Sequence, residues 1–224
     1  MTNKTKKLHL IAAAVMLAAA TGAHAQSAGS WMARIGVTNI TPDVKSGDLT
    51  APSLPGTKVD INSSTQLGGG ITYMLTDNWA VDLPLALPFK HTLSGDGAIA
   101  GAGKLGDVKA LPFTLLGQYR FMNANAQWRP YLGAGITYAK FYHARSTGVL
   151  SALTGGSPTT FSVDSKWAPT MEAGIVFNVK ENVFVDAMVA KTWLKTTSHL
   201  STGQSIDTKL DPLTLSIGVG MKFR

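Results

Sequence analysis

The 224-residue sequence predicts an all-β protein, an eight-stranded antiparallel transmembrane β-barrel with short periplasmic turns and long extracellular loops. Three observations carry that prediction. The last stretch, Leu213 to Phe223, alternates without a break, with Leu213, Leu215, Ile217, Val219, Met221 and Phe223 on one face and Thr214, Ser216, Gly218, Gly220 and Lys222 on the other. An export signal opens the chain: Lys4, Lys6 and Lys7 precede the apolar run Leu8–Ala20, and Ala23-His24-Ala25 is a small-x-small cleavage site. No other stretch is continuously apolar for the ~20 residues a transmembrane helix needs, whereas about ten residues of tilted strand cross a bilayer. Cleavage is expected after Ala25, which makes 1–25 a signal peptide and 26–224 the barrel.

Eight segments of roughly ten residues show the period of two that a barrel wall requires. The first, Trp31–Thr41, sets Trp31, Ala33, Ile35 and Val37 against Arg34. Thr65–Leu75 presents Leu67, Ile71, Tyr73 and Leu75. Trp79–Phe89 is the cleanest, with Trp79, Val81, Leu83, Leu85, Leu87 and Phe89 outward and Ala80, Asp82, Pro84, Ala86 and Pro88 inward. Leu111–Phe121 opposes Leu111, Phe113, Leu115, Tyr119 and Phe121 to Gln118 and Arg120. Arg129–Tyr142 is glycine-rich, and Leu132, Ala134, Ile136 and Tyr138 are taken as its outward set. Ser165–Phe177 sets Trp167, Met171, Ala173, Ile175 and Phe177 against Lys166 and Glu172. Val183–Thr196 sets Val183, Val185, Ala187, Val189 and Trp193 against Asp186 and Met188, and Leu213–Phe223 closes the barrel. The connectors at 76–78, 122–127 and 178–182 are short, whereas 42–64, 90–110, 143–164 and 197–212 are long and rich in Gly, Ser, Thr and Pro. That asymmetry places both termini in the periplasm and the long loops outside.

Charge placement separates a membrane barrel from a soluble one, because Arg or Lys on the lipid face at mid-bilayer costs about 2–4 kcal/mol. Arg34, Asp82, Arg120, Glu172, Asp186 and Lys222 all fall on the inward parity. Lys140 and Lys191 face outward near the outer strand ends, where a long amine snorkels to lipid phosphates. Trp31, Trp79, Tyr119, Phe121 and Phe223 stand at strand ends as lipid-interface anchors. The formal charge of +7 falls to +4 without the three signal lysines, which reads as ordinary solubility or as contact with anionic lipid phosphates; export argues against nucleic acid. With no cysteine, neither a disulfide framework nor a thiolate metal site is available, and no cofactor or metal is expected.

Eight strands enclose an interior that side chains nearly fill, so a wide aqueous pore is excluded. Pro84, Ala86 and Pro88 on the third strand and Met188 and Ala190 on the seventh form a small or apolar upper path. Arg34, Asp82, Arg120, Glu172 and Asp186 form a polar network below it, either a paired internal lattice or a polar gate. Pro84, Pro88, Pro112 and Pro169 each remove a ladder donor, which a closed sheet tolerates only at bulges, at strand ends or where neighbouring strands part. Parting near the third and fourth strands is the sharper reading and would let an apolar solute leave sideways into the outer leaflet. Apolar loop residues, among them Leu49, Leu54, Val59, Ile99, Leu105, Val149, Leu150, Leu153 and Phe161, either line a vestibule or pack loop on loop. An enzyme is not expected: His91, His143 and His199 sit in different loops, read as surface residues, and lack the spacing of a metal site or of an identifiable Ser–His pair.

Several stretches in order resemble the OmpW family of outer-membrane proteins, including its AlkL-type members. They are Tyr73-Met74-Leu75-Thr76-Asp77-Asn78-Trp79, Pro88-Phe89-Lys90-His91, Leu111-Pro112, Gln118-Tyr119-Arg120-Phe121, Arg129-Pro130-Tyr131-Leu132-Gly133-Ala134-Gly135, Asp164-Ser165-Lys166-Trp167-Ala168-Pro169 and Asp211-Pro212. The terminus departs from the pattern, since Arg224 follows the final aromatic. The resemblance implies residence in the outer membrane of a Gram-negative bacterium and a narrow channel for passive uptake of small hydrophobic molecules. It implies outer-membrane lipid and lipopolysaccharide as surroundings, small hydrophobic solutes as cargo and the barrel-assembly machinery during insertion. The other class open at this point is a non-conducting barrel serving as anchor or as surface receptor for phage, bacteriocin or host.

Overall fold

The computed structural model describes residues 26–223; residues 1–25, on which the expected signal peptide and cleavage site fall, and Arg224 lie outside them. Eight strands close a ring: β1 (Trp31–Thr41), β4 (Ser64–Met74), β5 (Trp79–Ala86), β7 (Lys104–Arg120), β8 (Trp128–Ser146), β10 (Lys166–Asn178), β11 (Val183–Thr192) and β14 (Leu213–Phe223). Every neighbour is antiparallel, and β14 closes on β1 with Trp31 opposite Phe223 and Thr41 opposite Leu213. The expected limits of the first and last strands coincide with β1 and β14.

Odd-numbered residues of β1, β5, β11 and β14, and of β7 from Lys109 on, point outward, and on β8 the outward set includes Leu132, Ile136 and Tyr138. This apolar band is exposed because bilayer, not protein, is its solvent. Trp31 packs on Tyr73 at 4.7 Å, and Trp79 and Phe121 both meet Tyr119 at 5.1 Å, forming the lower aromatic girdle. At the other end Tyr138 lies 4.9 Å from Trp167. Trp128 and Tyr138 are ten residues apart on β8. That is about 33 Å of strand, or about 25 Å of height at a tilt of about 40°, the thickness of the apolar band.

The third predicted strand breaks. β5 ends at Ala86, and Leu87-Pro88 separates it from β6 (Phe89–Gly97). Below the break Asp82 faces Leu116; above it Phe89 faces Ala110. Six residues on one side, Leu83 to Pro88, thus span five on the other, Leu111 to Leu115. A one-residue shift exchanges the two faces of a strand. Phe89, expected outward, is therefore turned inward and fully buried, and Pro88 leaves the inward series.

The long connectors are largely β-structure. β3 (Thr57–Ile61) pairs with β6, which pairs with the upper half of β7. A second sheet has the order β2 (Lys45–Ser46), β13 (Ser205–Lys209), β12 (Lys195–Leu200), β9 (Phe161–Val163). One short helix, α1 (Gly148–Leu153), caps this extension. Val59, Leu93, Leu105, Val108, Leu150 and Ile206 form its core, with Leu49, Ile99 and Phe161 packed against it. Those loop residues pack on one another and most of them, with Leu54 and Leu153, also line a cavity within the extension, so both expectations describe them. Leu54 and Leu153 stay exposed.

Candidate functional site

The barrel interior has two tiers, a polar floor and a cavity above it, and the extension holds a second cavity. At the periplasmic end a polar network fills the cross-section. Arg34 donates to both oxygens of Asp82, Nη1 to Oδ1 and Nη2 to Oδ2, each at 2.7 Å, and its Nε lies 3.7 Å from Asp186. Thr72 donates to the same Asp82 carboxylate, and Tyr131 donates to Asp186 Oδ2 at 3.1 Å. Gln118 donates to Glu172 Oε1 at 2.6 Å, and Arg120 Nη2 donates to Gln118 Oε1 at 2.8 Å. The Arg120 guanidinium lies 5.0 Å above the Tyr131 ring. Glu172 Oε2 is buried without a partner among the described residues. Charges this deep demand partners, and pairing across the ring supplies them to Arg34, Asp82 and Asp186.

Glycines make room for that network. A Cβ at Gly133 would stand 2.6 Å from Glu172 Oε1, and one at Gly70 would stand 2.9 Å from Arg34 Cζ. Met32, Met74, Val176 and Phe184 fill the space between the polar groups. Gln26, fully buried, seals the rim: its Oε1 accepts from Arg120 at 2.9 Å, and its backbone carbonyl accepts from Arg129 at 2.8 Å.

Above Leu116 and Met188 the interior opens into a cavity of about 130 Å³. Its walls include Ile40, Pro84, Ala86, Phe89, Leu93, Ala110, Pro112, Ala139, Met188, Ala190, Leu194 and Leu210, and no Asp, Glu, Lys or Arg lines it. The polar residues in its wall are mostly hydroxyls that bond one another. Thr114 meets Thr137 at 2.8 Å, Thr137 meets Thr170 at 2.6 Å and Thr170 meets Thr192 at 2.9 Å, linking β7, β8, β10 and β11. A hydroxyl satisfied by its neighbour asks nothing of a solute. A second apolar cavity, of about 120 Å³, lies within the extracellular extension and shares Val59, Leu93 and Ser198 with the first.

The lower cavity reaches the wall at the break. Between Asp82–Leu116 and Phe89–Ala110 no residue of β5 or β6 pairs with β7, while β5 stays bonded to β4 as far as Ala86 opposite Gly68. Pro84 and Pro88 on one side and Pro112 on the other withhold the donors that a continuous ladder would use. Leu85, half exposed on the outer surface, also borders the cavity.

Of the residues singled out by sequence, Pro84, Ala86, Met188 and Ala190 line the cavity, and Pro88 does not. Arg34, Asp82, Arg120, Glu172 and Asp186 lie together in the floor. Lys140 is exposed on the outer wall, while Lys191 bends onto the Asp211 carbonyl, 3.9 Å from the Asp43 carboxylate. His91 corrects a surface assignment: it is buried in the cavity wall, its Nδ1 2.8 Å from the Asn62 carbonyl, because it follows Phe89 in the shifted register. His199 lies 3.5 Å from Asp164 in the extension. Gln118 was read as inward but not placed in the network, and Gln26, Arg129, Tyr131 and the threonine chain were not singled out. The odd parity opposite Ile136 and Tyr138 would have found the threonine at 137, and Arg129 and Tyr131 follow in the same way from Leu132 facing out.

The OmpW family model matches residues 27–223. Outer membrane protein W of Vibrio cholerae is 30% identical over 203 residues, covering 89% of this chain and 91% of that protein. The dibenzothiophene metabolism operon protein PahQ of Pseudomonas aeruginosa is 28% identical, over 86% of this chain and 88% of its own. The crystal structure of the outer membrane protein OprG from Pseudomonas aeruginosa superposes with a TM-score of 0.81 at 30% identity, over 90% of this chain and all of that one.

Proposed function

The chain belongs to the OmpW family of outer-membrane β-barrels, and from that membership we propose that it is a narrow channel for passive uptake of small hydrophobic molecules, released sideways into the outer membrane. The observation that carries the reading is the cavity. It is apolar and uncharged, it stops on a filled polar floor, and it meets the wall where β5 and β7 are unpaired. A solute that enters from the extension finds no straight way down. The low-resistance exit is the parted wall, beyond which lie acyl chains. Transfer from water to hydrocarbon gains about 0.8 kcal/mol per methylene, which drives uptake without an energy source. A relative whose name ties it to dibenzothiophene metabolism supports an apolar, slim cargo.

Uptake of a medium-chain alkane or fatty-acid ester by cells with an intact outer membrane, with and without the protein, tests this. Faster uptake is expected with the protein. Equal uptake across a panel of such solutes would overturn the channel and leave a closed barrel acting as anchor or surface receptor.

A further inference from the structure

On β7 and β8 the register sets three rows on the outer wall, two residues apart along each strand. The lowest is the aromatic row of Phe113 opposite Tyr138, which itself faces Trp167. Next comes Leu111 opposite Lys140, and then Lys109 opposite Tyr142 on one side and Lys90 on the other. At about 3.3 Å per residue, the lysines stand roughly 7 and 13 Å along the strand above the aromatic girdle. That is the headgroup zone; Lys90 and Lys109 lie directly above the unpaired wall, and Lys140 is level with its upper end.

Lys90, Lys109 and Lys140 are all exposed. Lys90 and Lys109 face each other across the ladder, an arrangement that like charges disfavour. Asp107 is the carboxylate nearest this group in register, and it already holds Lys104 at 2.6 Å and Lys90 at 3.4 Å while facing Arg145. Asp60 and Asp96 lie further out, opposite Ser94 and Lys58. Neither Lys109 nor Lys140 has a carboxylate within the 4.0 Å limit of an ion pair among the described residues. Three amines at headgroup height, two of them facing each other and two of them without a carboxylate, are a seat for an anion.

We propose that Lys90, Lys109 and Lys140 bind the phosphate groups of a phosphorylated lipid of the outer leaflet, which hangs that lipid's acyl chains across the unpaired wall between β5 and β7. The site keeps the mouth of the gap facing hydrocarbon rather than water. It rests on the reading of the gap as an exit only for what the acyl chains do there; the phosphate seat stands on the lysines themselves.

The test is binding of bisphosphorylated lipid A to the folded protein in zwitterionic detergent, read by native mass spectrometry. The comparisons are dephosphorylated lipid A and inorganic phosphate. The K90Q/K109Q/K140Q variant is set against K45Q/K180Q/K195Q, which removes the same charge elsewhere. Each interfacial lysine contributes about fivefold in affinity for an anionic surface, so the first variant should bind about 100-fold more weakly and the second should bind as the wild type does. Dephosphorylated lipid A should bind neither variant selectively. Equal losses in both variants, or no binding by the wild type, would overturn the proposal. Competition by inorganic phosphate at equal concentration would replace the lipid with a free-phosphate site. No solute is present, so failure here leaves the channel reading untouched, and absent alkane uptake leaves the lipid seat untouched.

Discussion

Asp82 faces Leu116 in the last bonded pair between β5 and β7, and its carboxylate is gripped by Arg34 at 2.7 Å on both oxygens. The residue thus ends the continuous wall and anchors the floor at the same height. Below it the interior is filled by the polar network; above it lies the mostly apolar cavity, beside the stretch where β5 and β7 are unpaired.

The floor should be structural rather than conductive. Asp82→Asn leaves the buried Arg34 without its bidentate partner, and breaking such a pair costs about 3–5 kcal/mol. A lower urea midpoint in lipid vesicles is expected, with uptake per folded molecule unchanged because solute never crosses this level. A gain in uptake would show that the floor is a gate.

Glu172 behaves differently. One of its oxygens is buried with no partner, so the carboxylate gains little from its site. Glu172→Gln retains an acceptor for Gln118 and removes an uncompensated charge. The urea midpoint of this variant should equal or exceed that of the wild type.

Packing around the network leaves no slack at Gly133, where a Cβ would stand 2.6 Å from Glu172 Oε1. Gly133→Ala should lose about 1–3 kcal/mol, the usual cost of overpacking. The double variant Gly133→Ala with Glu172→Ala should recover part of that loss in the same unfolding assay.

Val59 and Leu93, with Ser198, border both cavities and so stand where the two meet. Leu93→Lys puts a charge on an apolar stretch of the boundary between the two cavities and should cut uptake at least tenfold. That boundary lies in the extension, so the barrel should still resist heat and run folded on gels. Leu93→Met, of similar volume, should leave uptake unchanged.

Strand placement was legible because lipid on one side and packed interior on the other impose a strict period of two. That is why Trp31–Thr41 and Leu213–Phe223 coincide with β1 and β14. The inward charges were legible for the same reason. The face exchange at Pro88 was not, because it is a relation between two strands: β5 and β6 together spend one residue more than β7. Prolines at 84, 88 and 112 signalled a weakness in that region without fixing where Phe89 and His91 would turn. The extracellular sheets were hidden because β2, β3, β9 and β13 are two to five residues long, too short to show a period.

The most direct test cross-links the parted wall. Ala86→Cys with Pro112→Cys places thiols on the two sides of the gap, in a chain that has no other cysteine. A short, reducible bis-methanethiosulfonate linker joins them in intact cells, and alkane uptake is measured before linking, after linking and after reduction. Lateral release predicts that linking reduces uptake to the level of cells lacking the protein and that reduction restores it. Undiminished uptake by the linked protein would contradict lateral release and send the solute through the floor at Arg34 and Asp82.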